Sequence, residues 1–122
     1  MFDFEKLEVY EKVQDVNVKA LTFLQGADKI DQYIKDHWKR ASLSALFNLA
    51  GGTGRISKQD KKHFYTIARG SIFECVAILN LLKETEQIDR EFYEDIYAEY
   101  ESCSKMLLAM YRSMDQAITG PR

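Results

Sequence analysis

Residues 89–114, DREFYEDIYAEYESCSKMLLAMYRSM, place Phe92, Ile96, Tyr100, Cys103, Leu107, Met110 and Met114 at steps of 4, 4, 3, 4, 3 and 4. That spacing holds one side of a 3.6-residue turn apolar for about six turns. Glu91, Glu94, Asp95, Glu99, Glu101 and Lys105 fill the positions between, as on a helix half in water. Asp89 is placed to cap this helix, Ile88 to staple onto Tyr93, and Gly120-Pro121 to end it.

Working back along the chain, the same period recurs three times. In residues 57–84, Ser57 and Asp60 have the spacing of a capping box, and Phe64, Ile67, Ala68, Ser71, Ile72, Cys75, Leu79 and Leu82 follow at helical steps. A second segment is expected from Asp28 or Lys29 to Ala50, with Ile30, Ile34, Trp38, Ala41, Ala45 and Leu49 inside. Gly51, Gly52 and Gly54 then make continued helix costly, at about 1 kcal/mol each. The first segment carries two stripes, Leu7-Tyr10-Val13-Asn17-Ala20-Leu24 and Val9-Val13-Val16-Ala20-Phe23, a wider apolar face than one bundle core needs, with Gly26 as its stop. One proline and six glycines leave little room for β-turns. The fold expected is all-α: a single domain over residues 1–122, an antiparallel up-down four-helix bundle joined by short links.

The bulk numbers narrow the functional classes. No apolar run approaches the roughly 20 residues that cross a bilayer, and the N-terminus lacks the basic start and apolar centre of a secretory signal. Cys75 and Cys103 are far apart inside helical patterns, which reads as two buried, reduced thiols in a cytoplasmic protein. The net charge of −2 hides a segregation: residues 1–28 sum to −3, residues 29–70 to +6, and residues 71–122 to −5. A basic middle between acidic flanks makes a dipolar surface.

A resemblance enters with particular residues. Phe4-Glu5-Lys6-Leu7-Glu8-Val9-Tyr10, then Lys39-Arg40-Ala41-Ser42-Leu43-Ser44, Asn48-Leu49-Ala50, Gly52, Gly54-Arg55 and Ser57-Lys58 lead to Phe64, Ile67-Ala68 and Gly70-Ser71-Ile72-Phe73-Glu74. Together these resemble the 23S rRNA intervening-sequence protein family over about two-thirds of the chain. The resemblance implies a four-helix bundle assembled as a homo-oligomeric ring, a pentamer by preference, with no enzyme activity. It also implies kinship with the accessory variability determinants of diversity-generating retroelements, which bind RNA and a reverse transcriptase. Two positions depart from the family pattern: Leu46 stands where a proline is usual, and Gly51 where a glutamate is usual. The first implies a straight second helix and the second a more flexible loop.

Candidate sites are few. Arg55, Lys58, Lys61, Lys62 and Arg69 form a basic run suited to RNA phosphates or another anionic partner, with His63 and Tyr65 as the residues for base stacking. Arg40 and Glu74 are expected as a buried ion pair that fixes register or a subunit contact. The glycine loop at residues 51–58 lacks the GxxxxGK[ST] spacing and a preceding strand, so it does not read as a nucleotide loop. Two histidines and no Glu-x-x-His exclude a ferritin-like metal centre, and neither cysteine has a local histidine to activate it. No catalytic residue, metal or cofactor is expected. The expected partner is a second copy of the chain, with structured RNA or an RNA-associated protein as the further candidate and a pure protein scaffold as the alternative. The wide face of the first helix and the aromatics Phe92, Tyr93, Tyr97 and Tyr100 are the surfaces expected between subunits.

Overall fold

The computed structural model describes the backbone of residues 1–119 and the side chains of residues 1–115. A short 3-10 turn, Asp3–Lys6, leads into helices α1 (Glu8–Gln25), α2 (Gln32–Thr53), α3 (Lys58–Glu84) and α4 (Arg90–Thr119). There is no strand among the described residues. The expected end at Gly120-Pro121 lies outside them.

The starts of α2, α3 and α4 each have a local chemical cause, whereas α1 begins at Leu7 without a side-chain cap. Asp31 accepts the Tyr33 amide at 2.9 Å, Ser57 accepts the Asp60 amide at 3.0 Å, and Asp89 accepts the Phe92 amide at 2.9 Å. A side-chain oxygen at such a position satisfies an amide that has no carbonyl partner within the helix. The cap at Asp31 moves the start of α2 three or four residues past the expected one, and Ile30 packs into the core from just outside the helix. The end of α3 has a different solution. The Gln87 amide reaches Leu82 O at 2.8 Å and the Glu86 amide reaches Lys83 O at 3.0 Å, the two bonds of a Schellman motif. That motif puts Glu86 at φ 57°, a left-handed backbone normally given to glycine.

Neighbours in sequence are neighbours in space: α1 packs on α2 and α4, and α3 on α2 and α4. Contacts run antiparallel throughout. Asn17 meets Ser42, Ser44 meets Ser71, Arg69 meets Ser104, and Lys19 meets Asp95 and Glu99. At the centre Trp38, Tyr100, Leu49, Ile72, Leu79, Ile96 and Leu107 are all buried. The apolar spacing of α4 is borne out, with Ile96, Tyr100, Cys103 and Leu107 at no exposure and Phe92, Met110 and Met114 packed at the margin.

Three expectations need correction. The two stripes of α1 are one face, because Val9, Val13, Val16, Asn17, Ala20 and Leu24 are all buried within this chain. Leu7, Tyr10 and Phe23 of those stripes are half-buried against the same core. Three of the four α4 aromatics are likewise used internally: Phe92 stacks on Phe23 at 4.5 Å, Tyr100 accepts from Trp38 Nε1 at 2.8 Å, and Tyr93 donates to Asn80 at 2.7 Å, while Tyr97 stays exposed. The glycines at 51 and 52 are helical, so no flexible loop starts there. A Cβ on Gly52 would lie 2.7 Å from Tyr65 Cε1 and 2.9 Å from Phe64 Cβ. Packing against α3 therefore outweighs the entropic cost of glycine in a helix, and Gly52 sets how closely the two helices approach.

By length and composition α3 could cross a membrane. Its stripe of Tyr65, Ala68, Ser71, Ile72, Cys75, Leu79 and Leu82 is buried against the other helices. Burial pushes the Cys75 thiol up to about 11 and the Cys103 thiol up to about 12. The Tyr100 phenol is also raised by burial.

Three outcomes follow. Gly52→Ala lowers stability by roughly 1–3 kcal/mol through overpacking, read as a lower urea midpoint; an unchanged midpoint would mean that α2 and α3 can part freely. Glu86→Gly relieves the left-handed strain and adds about 1 kcal/mol, seen as a higher Tm. Both thiols keep their protons in the native state above the ordinary value of 9.0, so stability is full below about pH 9 and falls as pH rises toward the native values. Thermal melts at pH 7 to 11 check this, with a flat profile as the contrary result.

Candidate functional surface

The five basic residues are distributed around the α2–α3 end and the α3–α4 edge. Arg55 lies over the Phe64 ring at 4.9 Å and 3.8 Å from Asp60. Lys61 donates to Thr53 O at 2.9 Å, closing the end of α2. Lys58, in the first turn of α3, is also engaged. These three share one end of the bundle with the N-terminus of α3, where the amides of the first turn carry partial positive charge.

Lys62 and Arg69 face α4 instead. Lys62 pairs with Asp115 and sits over Tyr111 at 4.8 Å, and its ammonium is held above its ordinary pKa by the hydrogen bond to Asp115. Arg69 donates to Ser104 O at 3.4 Å and covers Phe73 at 4.7 Å. The basic run is therefore a set of locally partnered cations. Partnered cations keep further N–H donors and still attract phosphate, though the acids beside Arg55 and Lys62 lower the net charge there.

Two stacking expectations part company. His63 is exposed on the surface of α3. Tyr65 is 2% exposed beneath Gly52 and is a core residue.

The expected buried pair of Arg40 and Glu74 is not formed. Both are exposed, and Glu74 lies 3.0 Å from His37 Nε2 instead. The reason is rotational. The core line of α3 runs through Ala68, Ile72, Cys75, Leu79 and Leu82, and Glu74 stands about 100° away from Cys75 on the α2 side. Ile67, which shared the assumed line with Glu74, is itself 38% exposed. Tyr33, His37, Arg40, Ser44 and Glu74 together line a shallow hollow of about 350 Å³ between α2 and α3.

Buried polarity lies elsewhere. Asn17 Nδ2 donates to Ser42 O at 2.7 Å, Ser42 Oγ is 3.8 Å from Cys75 Sγ, and Asn17 Oδ1 is buried without a partner. Among the described residues no group of three His, Cys, Asp or Glu side chains is placed to hold a metal ion.

The surface features that sequence reading passed over are apolar. Phe47 is 63% exposed and Phe73 is 53% exposed, with Leu43 beside Phe47 on the outer side of α2. Leu43 and Phe47 sit four residues apart and off the inner stripe of Trp38, Ala41, Ala45 and Leu49, which is the signal that could have found them. Phe73 lies between two hollows of the α3–α4 seam.

Known proteins bear on this arrangement at two levels. The fold is similar to the crystal structure, at 1.70 Å resolution, of a protein of unknown function from the S23 ribosomal protein family of Bacteroides thetaiotaomicron VPI-5482. The TM-score is 0.80 at 23% identity, over 84% of this chain and 97% of that one. No curated protein matches the chain. The family model described as 23S rRNA-intervening sequence protein matches residues 5–109. With a match over that span, the chain belongs to the 23S rRNA-intervening sequence protein family.

Proposed function

We propose that this chain is a non-catalytic, homo-oligomeric binding module that acts from the cytoplasm. The observation that carries this reading is the exposure of Phe47 and Phe73 on different faces of a bundle whose own core is filled. Large apolar side chains left in water on a folded domain mark contact surfaces when they cluster with other apolar groups. Binding rather than chemistry is supported by the two thiols, which burial keeps protonated and therefore poorly nucleophilic.

A ring is the assembly this reading favours. Two different sticky faces on one chain join head to tail, and such contacts close into a ring when the rotation allows. The pentamer belongs to the family resemblance and is carried here as part of the proposal.

Structured RNA is the second reading. It is favoured by Arg55, Lys58 and Lys61 gathering at one end of the bundle beside the N-terminus of α3. The local partners of these cations weigh against it, which places a protein scaffold first.

Light scattering coupled to size exclusion, with and without structured ribosomal RNA at low and moderate salt, separates the two. The expected result is a multimer at both salts that RNA does not shift. Co-elution with RNA that is lost at moderate salt, and lost on changing Arg55 and Lys58 to Glu, would favour the second reading. A monomer under every condition would remove the first.

A further inference from the structure

The outer seam between α3 and α4 holds two adjoining hollows, of about 330 and 230 Å³, that meet at Phe73. Gly70, Val76, Tyr97, Leu108 and Tyr111 complete most of the wall, and Glu101 stands within it. Gly70 is the unexplained residue. It lies in the interior of α3, and a Cβ there would meet nothing within 4 Å. Within this chain glycine only weakens the helix at that point, by roughly 0.5–1 kcal/mol relative to alanine. A missing side chain on an outer helix surface is what lets a second backbone come close.

The opposite feature stands on α2. Arg40, Leu43 and Phe47 are exposed at steps of 3 and 4, forming one ridge on the side away from Trp38. No ion pair or hydrogen bond from its side chain holds Arg40 among the described residues, and the same is true of Glu101 in the seam. The ridge and the seam are different surfaces: the ridge is apolar beyond Arg40, and the seam is mostly apolar, with Arg69 held over Phe73 by its own chain and Glu101 toward one end.

Resting on the oligomeric reading above, we infer that the α2 ridge of one copy docks in the α3–α4 seam of the next. Arg40 of one copy meets Glu101 of its neighbour. Leu43 crosses over the neighbour's Gly70, and Phe47 fills the hollow walled by Thr66, Leu108 and Tyr111. Register supports this assignment. Arg40 to Phe47 and Glu101 to Leu108 are both seven residues, about 10 Å along a helix axis. The inserted α2 therefore runs parallel to the neighbour's α4. An apolar helix ridge in an apolar groove, fixed at one end by a charge pair, is a familiar recognition mode. Because ridge and seam differ, the contact is head to tail and each copy uses both.

The test is sedimentation or light scattering across a concentration series, with circular dichroism to show that each variant is folded. The variants are Phe47→Asp, Arg40→Glu, Glu101→Arg and the double Arg40→Glu/Glu101→Arg, with Val18→Asp on exposed α1 as control. Wild type and the Val18 variant are expected to assemble. Phe47→Asp and each single charge reversal are expected to raise the dissociation midpoint at least about tenfold, and the double variant to recover most of it. Assembly that is unchanged in all variants would overturn this interface and leave the oligomeric reading standing. Single reversals that dissociate without recovery in the double variant would overturn the Arg40–Glu101 pairing. A wild type that stays monomeric would overturn both readings.

Discussion

The hydrogen bond from Trp38 Nε1 to Tyr100 OH, 2.8 Å long and wholly buried, ties together the two helices that do not pack side by side. α2 and α4 sit at opposite corners of the bundle, and their two largest inward side chains meet in its middle. Each ring carries a polar group that would be costly to bury alone, so each needs the other. Satisfying that need fixes how far α2 and α4 slide and how they are rotated. The outer faces then follow. Arg40, Leu43 and Phe47 point outward because Trp38 points inward, and Glu101 lies at the α3–α4 seam because the adjacent Tyr100 is committed to the centre.

Small residues do the complementary work between α2 and α3. Ser71 donates to Ser44 at 2.8 Å, Ser42 lies near Cys75, and Gly52 sits under Tyr65 without room for a methyl group. Where side chains are this small, the two backbones approach closely and the polar groups must pair across the contact. The buried Asn17, bonded to Ser42 O, brings α1 into the same polar seam. A core of this kind trades some apolar burial for a defined register. A shifted helix would break hydrogen bonds as well as packing.

The electrostatic surface looks different once contacts are known. The sequence concentrates positive charge in residues 29–70, and the fold lays much of it against acids or carbonyls of its own chain. Lys19 of acidic α1 likewise lies between Asp95 and Glu99 of acidic α4, with its ammonium held above the ordinary pKa by the hydrogen bond to Glu99 first and Asp95 second. Exposed pairs of this sort add little stability, but they lower the charge left over for a distant anion. The dipolar pattern in the sequence is thus partly taken up in contacts within the chain.

Much of the fold was legible in the residues alone. The period of Phe92 to Met114, the caps at Ser57 and Asp89, and the stripe from Trp38 to Leu49 each rest on short-range physics: side-chain spacing on one helix, or one oxygen meeting one amide. The family signature was legible for the same reason, since it is a string of local choices. What the sequence alone did not determine was rotation and proximity. A wide apolar face is compatible with helix orientations about 100° apart, so Glu74 and Ile67 read as inner while Tyr65 read as surface. Gly51 and Gly52 read as a break because the cost of glycine is local, whereas the ring of Tyr65 that favours glycine at 52 arrives from another helix. The sequence by itself set which segments coil and which residues prefer the interior. Only the tertiary structure decided which polar groups face one another and which aromatics remain outside, because both depend on what the neighbouring helix places opposite.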